Sequence, residues 1–358
     1  MTRFGLTYAF RNLDRTGEDH HHYLGRKLDE IVHAEELGFD EVRIAEHHLV
    51  DDGYVPCPVV AGAAIAARTS TIGIGQGVLL APFYHPVRLA EEAAFVDNLS
   101  GGRFSLTLGL GYRGAEFRAY GLSRKERAAR AAEVMQVVMA CLSGGPVDHH
   151  GRFFDLDGVT IRPASYQRPR LPVWVGAHTR PAMERAARLG VDGLIGVEAD
   201  LPMWQEVNAE LRPDHPVRFA APLTVNLVAS DDPERDWALY KDRLAAPIHL
   251  YAQWAVADGD LGKVNKPRFG EQKTDADLAR VTRFATTEEI LEAYLARLDS
   301  FVHYETIMVD GLSTELPQEA SHRALELFAA EVMPTVRARL DERRAELDIV
   351  APSSASVA

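Results

Sequence analysis

One pattern constrains this chain more than any other. Short apolar, β-branched runs alternate with amphipathic helical stretches along most of its 358 residues. Strand-like runs fall at residues 3–10, 39–45, 71–80, 103–110, 173–175, 191–197, 217–228 and 304–309. Helical periodicity follows each: 24–37, stopped by Gly38, then 58–68, 87–99, 124–142, 181–189, a segment ending at Leu211, 233–250, 287–298 and 317–344. Eight strand–helix units predict a (β/α)8 TIM barrel. A doubly wound open sheet is the alternative. It is disfavoured by the strand count and by the lack of G-x-G-x-x-G after the first strand.

Two stretches break the alternation. Residues 145–172 form an insertion between the fourth and fifth strands, and within it PVDHHGRFFDLDGVTI reads as a two-stranded hairpin. Residues 258–285 are polar, charged and weakly periodic, and read as a long lid loop. The expected organisation is one barrel domain over 1–346 and a flexible tail at 347–358.

A 46% hydrophobic content is enough for a large core, and a net charge of -13 argues against nucleic acid or an anionic membrane as partner. The two cysteines, Cys57 and Cys141, are too few for a disulfide framework and read as free thiols in a reducing cytoplasm. The start MTRFGLTYAF does not read as a signal peptide, and no apolar run nears the roughly 20 residues of a membrane span.

In a barrel, the C-terminal ends of the strands carry the chemistry. The second strand runs into Glu46-His47-His48. Neighbouring residues of an extended segment point to opposite sides, so one metal ion holding both imidazoles is disfavoured. A single imidazole suits a general base or hydrogen-bond donor near neutral pH; an ordinary core histidine and a loop histidine are the plainer reading. The fourth strand runs into Gly109-Leu110-Gly111-Tyr112-Arg113-Gly114, and the third carries Gly75 and Gly77, where backbone can approach a ligand closely or simply bulge. After the fifth strand, Gly176-Ala177-His178-Thr179-Arg180-Pro181 opens a helix with Thr179 as N-cap, a seat for phosphate or only a cap. Arg127 and Arg130 lie near the start of the preceding helix. Tyr251 and Trp254 are candidates for a substrate wall or for core, and His20-His21-His22 for a substrate contact or a solvated loop.

Taken in order, GFDEVRIAEHH, TIGIGQGVLLAPFYHPVRLAEE, SGGRFSLTLGLGYRGAEFRAYG, LPVWVGAHTRPAMERAARLG and EVMPTVRARL give the chain a resemblance to the bacterial luciferase-like flavin-dependent monooxygenases over about residues 4–340. The resemblance implies a TIM barrel with FMN at the strand ends. It also implies reduced FMN and O2 reacting through a C4a-peroxyflavin to oxidise a small organic substrate, a separate flavin reductase, a homodimer and a cytoplasmic setting. His47 matches the family's active-site histidine. The cofactor-binding set becomes Glu46, His48, Gly77, Val78, Gly109, Gly111, Tyr112, Arg127, Arg130, Gly176, Ala177, His178 and Thr179, with no metal ligand. Gly77–Val78 matches a non-proline cis peptide beneath the flavin, and 258–285 the family's lid. The reactive thiol of the light-emitting members falls on Gly109 here, and their phosphate-binding arginine on Leu110, which argues against light emission. Relatives that use a deazaflavin coenzyme for hydride transfer, and a non-catalytic partner subunit, are the competing readings.

Overall fold

A computed structural model of the chain describes residues 2–13, 17–223, 225–258, 274–309 and 316–349. In chain order the elements are β1 (Arg3–Tyr8), α1 (His20–Glu36), β2 (Glu41–Ile44), α2 (Pro58–Arg68), β3 (Gly73–Gln76), β4 (Leu79–Leu80), α3 (Pro86–Leu99), β5 (Leu106–Gly109), α4 (Gly114–Ala119) and α5 (Arg127–Leu142). The hairpin β6 (Val147–His150) and β7 (Asp155–Val159) follows, then β8 (Val173–Gly176), α6 (Arg180–Leu189), β9 (Gly193–Ile195), α7 (Leu201–Leu211), β10 (Phe219–Pro222), β11 (Asn226–Ala229) and α8 (Pro233–Ala257). The chain continues with α9 (Asp275–Ala279), β12 (Thr282–Ala285), α10 (Thr287–Leu295), α11 (Leu298–Phe301), β13 (Thr306–Val309), α12 (Gln318–Leu327) and α13 (Met333–Glu346).

The main sheet is parallel, in the order β3-β2-β1-β13-β10-β9-β8-β5-β4. Its two end members, β3 and β4, are halves of one sequence run, parted by a cis peptide between Gly77 and Val78. An isolated bridge from Ile74 to Phe104 adds to the closure. The sheet is therefore the eight-stranded barrel that the alternation predicts, with the third strand broken in two.

Helices pack outside this ring on apolar stripes. On α3 the inward residues Leu89, Ala90, Ala93 and Ala94 are fully buried; burying such a leucine contributes about 1.5–3 kcal/mol, and the alanines let helix and strands approach closely. Asp19 caps α1 by accepting from the His22 amide, Thr286 and Glu289 form a capping box on α10, and Gly190 ends α6 with φ 76°.

The N-terminal mouth of the barrel is filled with charge. Arg43 donates from Nε to Glu41 (2.6 Å) and from Nη1 to Thr107 Oγ1 (2.9 Å), and Arg218 clasps Glu305 (2.5 and 2.8 Å). Both guanidinium groups lie over the Trp174 ring, at 5.1 and 5.0 Å. A cavity of about 580 Å³ opens here, at the end of the barrel opposite His47.

Two expectations change. The seventh strand-like run, 217–228, splits into β10 and β11: Pro222 lacks the amide needed to continue a ladder, and β11 leaves the barrel to pair in parallel with β12. That pairing also corrects the reading of 258–285 as one loop, because 275–279 is helical and 282–285 is the partner strand; residues 259–273 lie outside the described residues. The hairpin read within 145–172 is present, with β6 and β7 antiparallel. Of the expected tail, 350–358 lies outside the described residues.

Candidate active site

Strand β2 delivers Glu46, His47 and His48 to the C-terminal mouth, all buried. The two imidazoles part, as an extended backbone requires. His47 Nδ1 lies 2.9 Å from Glu116 Oε1, and the same oxygen accepts from the His48 backbone amide at 2.9 Å. A carboxylate only accepts, so Nδ1 carries the donated hydrogen and Nε2 faces the site, 3.4 Å from the Tyr112 hydroxyl. Glu116 is fully buried, and among the described residues its Oε2 has no hydrogen-bond partner.

His48 turns into a second cluster. Its Nε2 sits 2.9 Å from Glu46 Oε1 and its Nδ1 3.0 Å from the Tyr120 hydroxyl. Glu46 also accepts from the Leu80 amide (2.5 Å) and the Tyr84 hydroxyl (2.8 Å), so it ties β2 to β4 just past the strand break. Burial, then the Glu46 charge, pushes the Tyr84 phenol far above its ordinary value, and it stays a donor.

Around His47 stands a ring of aromatic side chains. Ring centroids lie 5.0 Å away for Tyr54, 5.6 Å for Tyr112, 5.8 Å for Tyr251 and 4.6 Å for Trp254. The hydroxyls of Tyr54 and Tyr251 meet at 2.9 Å. Burial raises the Tyr54 phenol, with Tyr251 adding to the shift, and burial likewise raises Tyr112. Arg113 stacks on Trp254 at 4.4 Å and donates to the His48 carbonyl. Tyr251 and Trp254 come from α8, which extends to Ala257 rather than ending near Leu250, and Asp258 just beyond it accepts from the Gly114 amide at 2.8 Å.

Beside this lies a floor made by Val78. A Cβ built on Gly109 would stand 2.3 Å from Val78 Cγ2, and one on Gly176 2.7 Å from Val78 Cγ1. Only glycine fits at either strand end while the isopropyl group rests there. Gly111 has φ 66°, a turn conformation that glycine takes without cost. Ala177 is buried; His178 and Thr179 are exposed, with His178 Nδ1 2.7 Å from Asp200. Thr179 is the N-cap of α6, yet its side chain makes no capping bond.

The structure thus gathers Glu46, His47, His48, Gly77, Val78, Gly109, Gly111, Tyr112 and Gly176 at one mouth. The two arginines are held by other partners. Arg127 donates to the Arg124 carbonyl (2.9 Å); Arg130 donates to the Pro82 carbonyl (2.8 Å) and stacks on Phe154 of the insertion (4.8 Å). His22 of the histidine run pairs with its cap Asp19 at 2.7 Å, both exposed. Among the described residues no group of three or more His, Cys, Asp or Glu side chains is placed to hold a metal ion, and no helix is long and apolar enough to cross a membrane.

The family model for luciferase-like monooxygenases matches residues 2–307. The chain belongs to that family. Its curated relatives are matched over only about half their length, from 46% to 53% of each for the first three. One relative is the oxygenase component of a flavin-dependent trigonelline monooxygenase of Acinetobacter baylyi, 30% identical over 159 residues, 44% of either chain. Among solved structures, the monooxygenase RslO1 of Streptomyces bottropensis superposes with a TM-score of 0.76 at 25% identity, over 93% of this chain and 99% of that one. The oxygenating constituent of 3,6-diketocamphane monooxygenase of Pseudomonas putida, solved with FMN, shares the fold at TM-score 0.73 and 18% identity, over 98% and 99%. So does the coenzyme F420 dependent tetrahydromethanopterin reductase of Methanopyrus kandleri, at 0.69 and 19%, over 94% and 99%.

Glu116 is a residue of this cluster that the sequence reading missed. It lies on α4, a six-residue helix too short to show a periodicity. Its one local signal is an acidic residue flanked by Ala115 and Phe117.

Proposed function

We propose that the chain is the oxygenase of a two-component system, which takes reduced FMN from a separate reductase and uses O2 to oxidise a small organic substrate. The observation that carries this reading is His47: buried, fixed through Nδ1 by Glu116, and aimed through Nε2 toward the mouth beside the Val78 floor. Family membership supports it, as do the FMN complex of one fold neighbour and the oxygenase-component name of one relative.

The residues fit a flavin. The glycines at 109 and 176 leave room for Val78 to lie as an apolar floor, and the ten-residue α6 opens on a cap hydroxyl that makes no capping bond. Val78, Gly109, Gly111, Tyr112, Gly176 and Ala177 would hold the ring system, and His178 and Thr179, with Arg127, the phosphate. Bound reduced FMN supplies the two electrons that activate O2. This chain's part is the rest. His47 donates or accepts a proton at Nε2 while Glu116 keeps the other nitrogen protonated. Tyr54, Tyr251 and Trp254 keep bulk water from that nitrogen, so oxygen is not lost as hydrogen peroxide. Val60, Phe95 and Leu99, 65%, 59% and 46% exposed on the adjacent α2 and α3, are the surface proposed for a homodimer.

The test is an anaerobic titration with reduced FMN followed by rapid mixing with O2. Saturable binding and reoxidation in resolved phases, slower than for free flavin, are expected. Binding of a reduced deazaflavin coenzyme instead, with oxygen-independent turnover, would replace the monooxygenase reading by hydride transfer. No binding of either, with tight association to a homologous chain, would make this a partner subunit.

A further inference from the structure

We propose that the substrate of this site is a planar aromatic compound of the phenol type, received against Tyr251 and Trp254 of α8 and against Tyr54 and Tyr112 facing them. The inference rests on the oxygenase reading and adds to it the chemical class of what is oxidised. Four aromatic rings stand within 5.8 Å of the His47 ring, at tilted or edge-on angles from 56° to 87°. Rings so inclined offer both faces and edges to a further flat ring, the two arrangements that aromatic pairs favour. Tyr251 and Trp254 are themselves edge to face, with centroids 5.2 Å apart.

The polar atoms of this wall are also of one kind. Three phenol hydroxyls belong to it, two of them 2.9 Å apart, and the third 3.4 Å from the imidazole nitrogen that faces the mouth. Burial keeps Tyr54 and Tyr112 protonated, so these groups meet a ligand hydroxyl as neutral partners. Arg113 lies on Trp254 at 4.4 Å, which fixes that indole and puts a positive charge at the edge of the wall. A flexible alkyl chain would lose its rotamer freedom here and gain no ring–ring contact. An aromatic ligand keeps its shape, and each ring pair it makes is worth about a two- to twelve-fold gain in binding. Tyr112, 41% exposed, and the half-buried Tyr251 are the rings of this wall that solvent reaches, with Tyr54 and Trp254 buried behind them.

The experiment compares two probes of equal heavy-atom number, 4-nitrophenol and octanoate, by anaerobic calorimetric titration of the full chain, with and without reduced FMN. 4-Nitrophenol should bind about tenfold more tightly than octanoate. The preference should fall to about twofold or less in Trp254→Leu and in Tyr251→Leu, each checked for an unchanged circular dichroism spectrum; if one fails to fold, the other gives the same readout. Octanoate binding as tightly as 4-nitrophenol, no binding of 4-nitrophenol at millimolar concentration, or a preference that survives both substitutions overturns the proposal. Reduced FMN is titrated separately on the same preparations. Its failure to bind the parent chain would sink the oxygenase reading, whereas flavin binding without the aromatic preference would sink only the substrate class.

Discussion

Replacing Gly109 by alanine probes the floor of the site directly. The added Cβ would stand 2.3 Å from Val78 Cγ2 and 3.1 Å from Val78 Cβ, against a favourable carbon–carbon separation of about 3.5–4.0 Å. Val78 must therefore tilt or the strand end must shift, and overpacking of this sort costs about 1–3 kcal/mol. Val78→Ala removes both γ-methyl groups from a half-buried position, which costs on the order of 1 kcal/mol. In the double variant the 2.3 Å contact no longer exists and only the tight 3.1 Å approach to Cβ is left. The pair should then be about 1–2 kcal/mol more stable than the sum of the two single effects, well outside the roughly 0.3–0.5 kcal/mol scatter of independent sites. Urea unfolding followed by circular dichroism measures all four chains, and titration with reduced FMN reports whether the seat recovers along with the stability. A Gly109→Ala chain as stable as the parent, or a double variant equal to the sum of the singles, would refute the packing argument.

Other outcomes follow from the same geometry. His47→Ala should leave reduced FMN binding nearly unchanged while lowering product yield and raising hydrogen peroxide release; unchanged coupling of flavin oxidation to product would remove His47 from the chemistry. Glu116→Ala strands the His47 Nδ1 and His48 amide donors, each unpaired buried donor costing about 1–3 kcal/mol. A loss of at least about 2 kcal/mol in urea is expected, most of it restored in Glu116→Gln, which keeps an acceptor; full stability of the alanine variant would contradict this. Burial, helped by the stacked His33 ring 4.6 Å away, holds His322 below the usual imidazole range. The unfolded chain then takes up this proton first, so the contribution of His322 is complete above about pH 6.5 and is lost as pH falls from there toward its lowered folded value. His322→Gln should flatten the fall in Tm between pH 7 and 5; an equally steep fall would assign the acid sensitivity to other groups. Asp258→Ala removes the acceptor for the Gly114 amide and should speed limited proteolysis within the last turns of α8; unaltered cleavage would show that this contact does not hold the helix end down.

The barrel was legible because its signal is repeated: eight apolar runs separated by helical periodicity survive errors of a few residues at each boundary. The third strand was read as continuous through 71–80; Gly75 and Gly77 marked it for a close approach or a bulge, but not for the passage of pairing from β2 to β5. Glu46, His47 and His48 were readable from their place at a strand end. Their partners were not, because Glu116 lies 69 residues from His47 and Tyr251 lies 197 from Tyr54. Only folding brings such pairs together. Arg130 was readable as a cation near the start of a helix, whereas its stacking on Phe154, an insertion residue whose position no periodicity could place, was not.

The division of the third strand between β3 and β4 has a practical meaning. One short run of chain both finishes the circle of hydrogen bonds and supplies Val78. An insertion or deletion there would upset closure and the proposed cofactor seat in a single stroke, so chimaeras with relatives should be joined elsewhere: the β6–β7 hairpin, whose two strands form a sheet of their own, offers a safer junction.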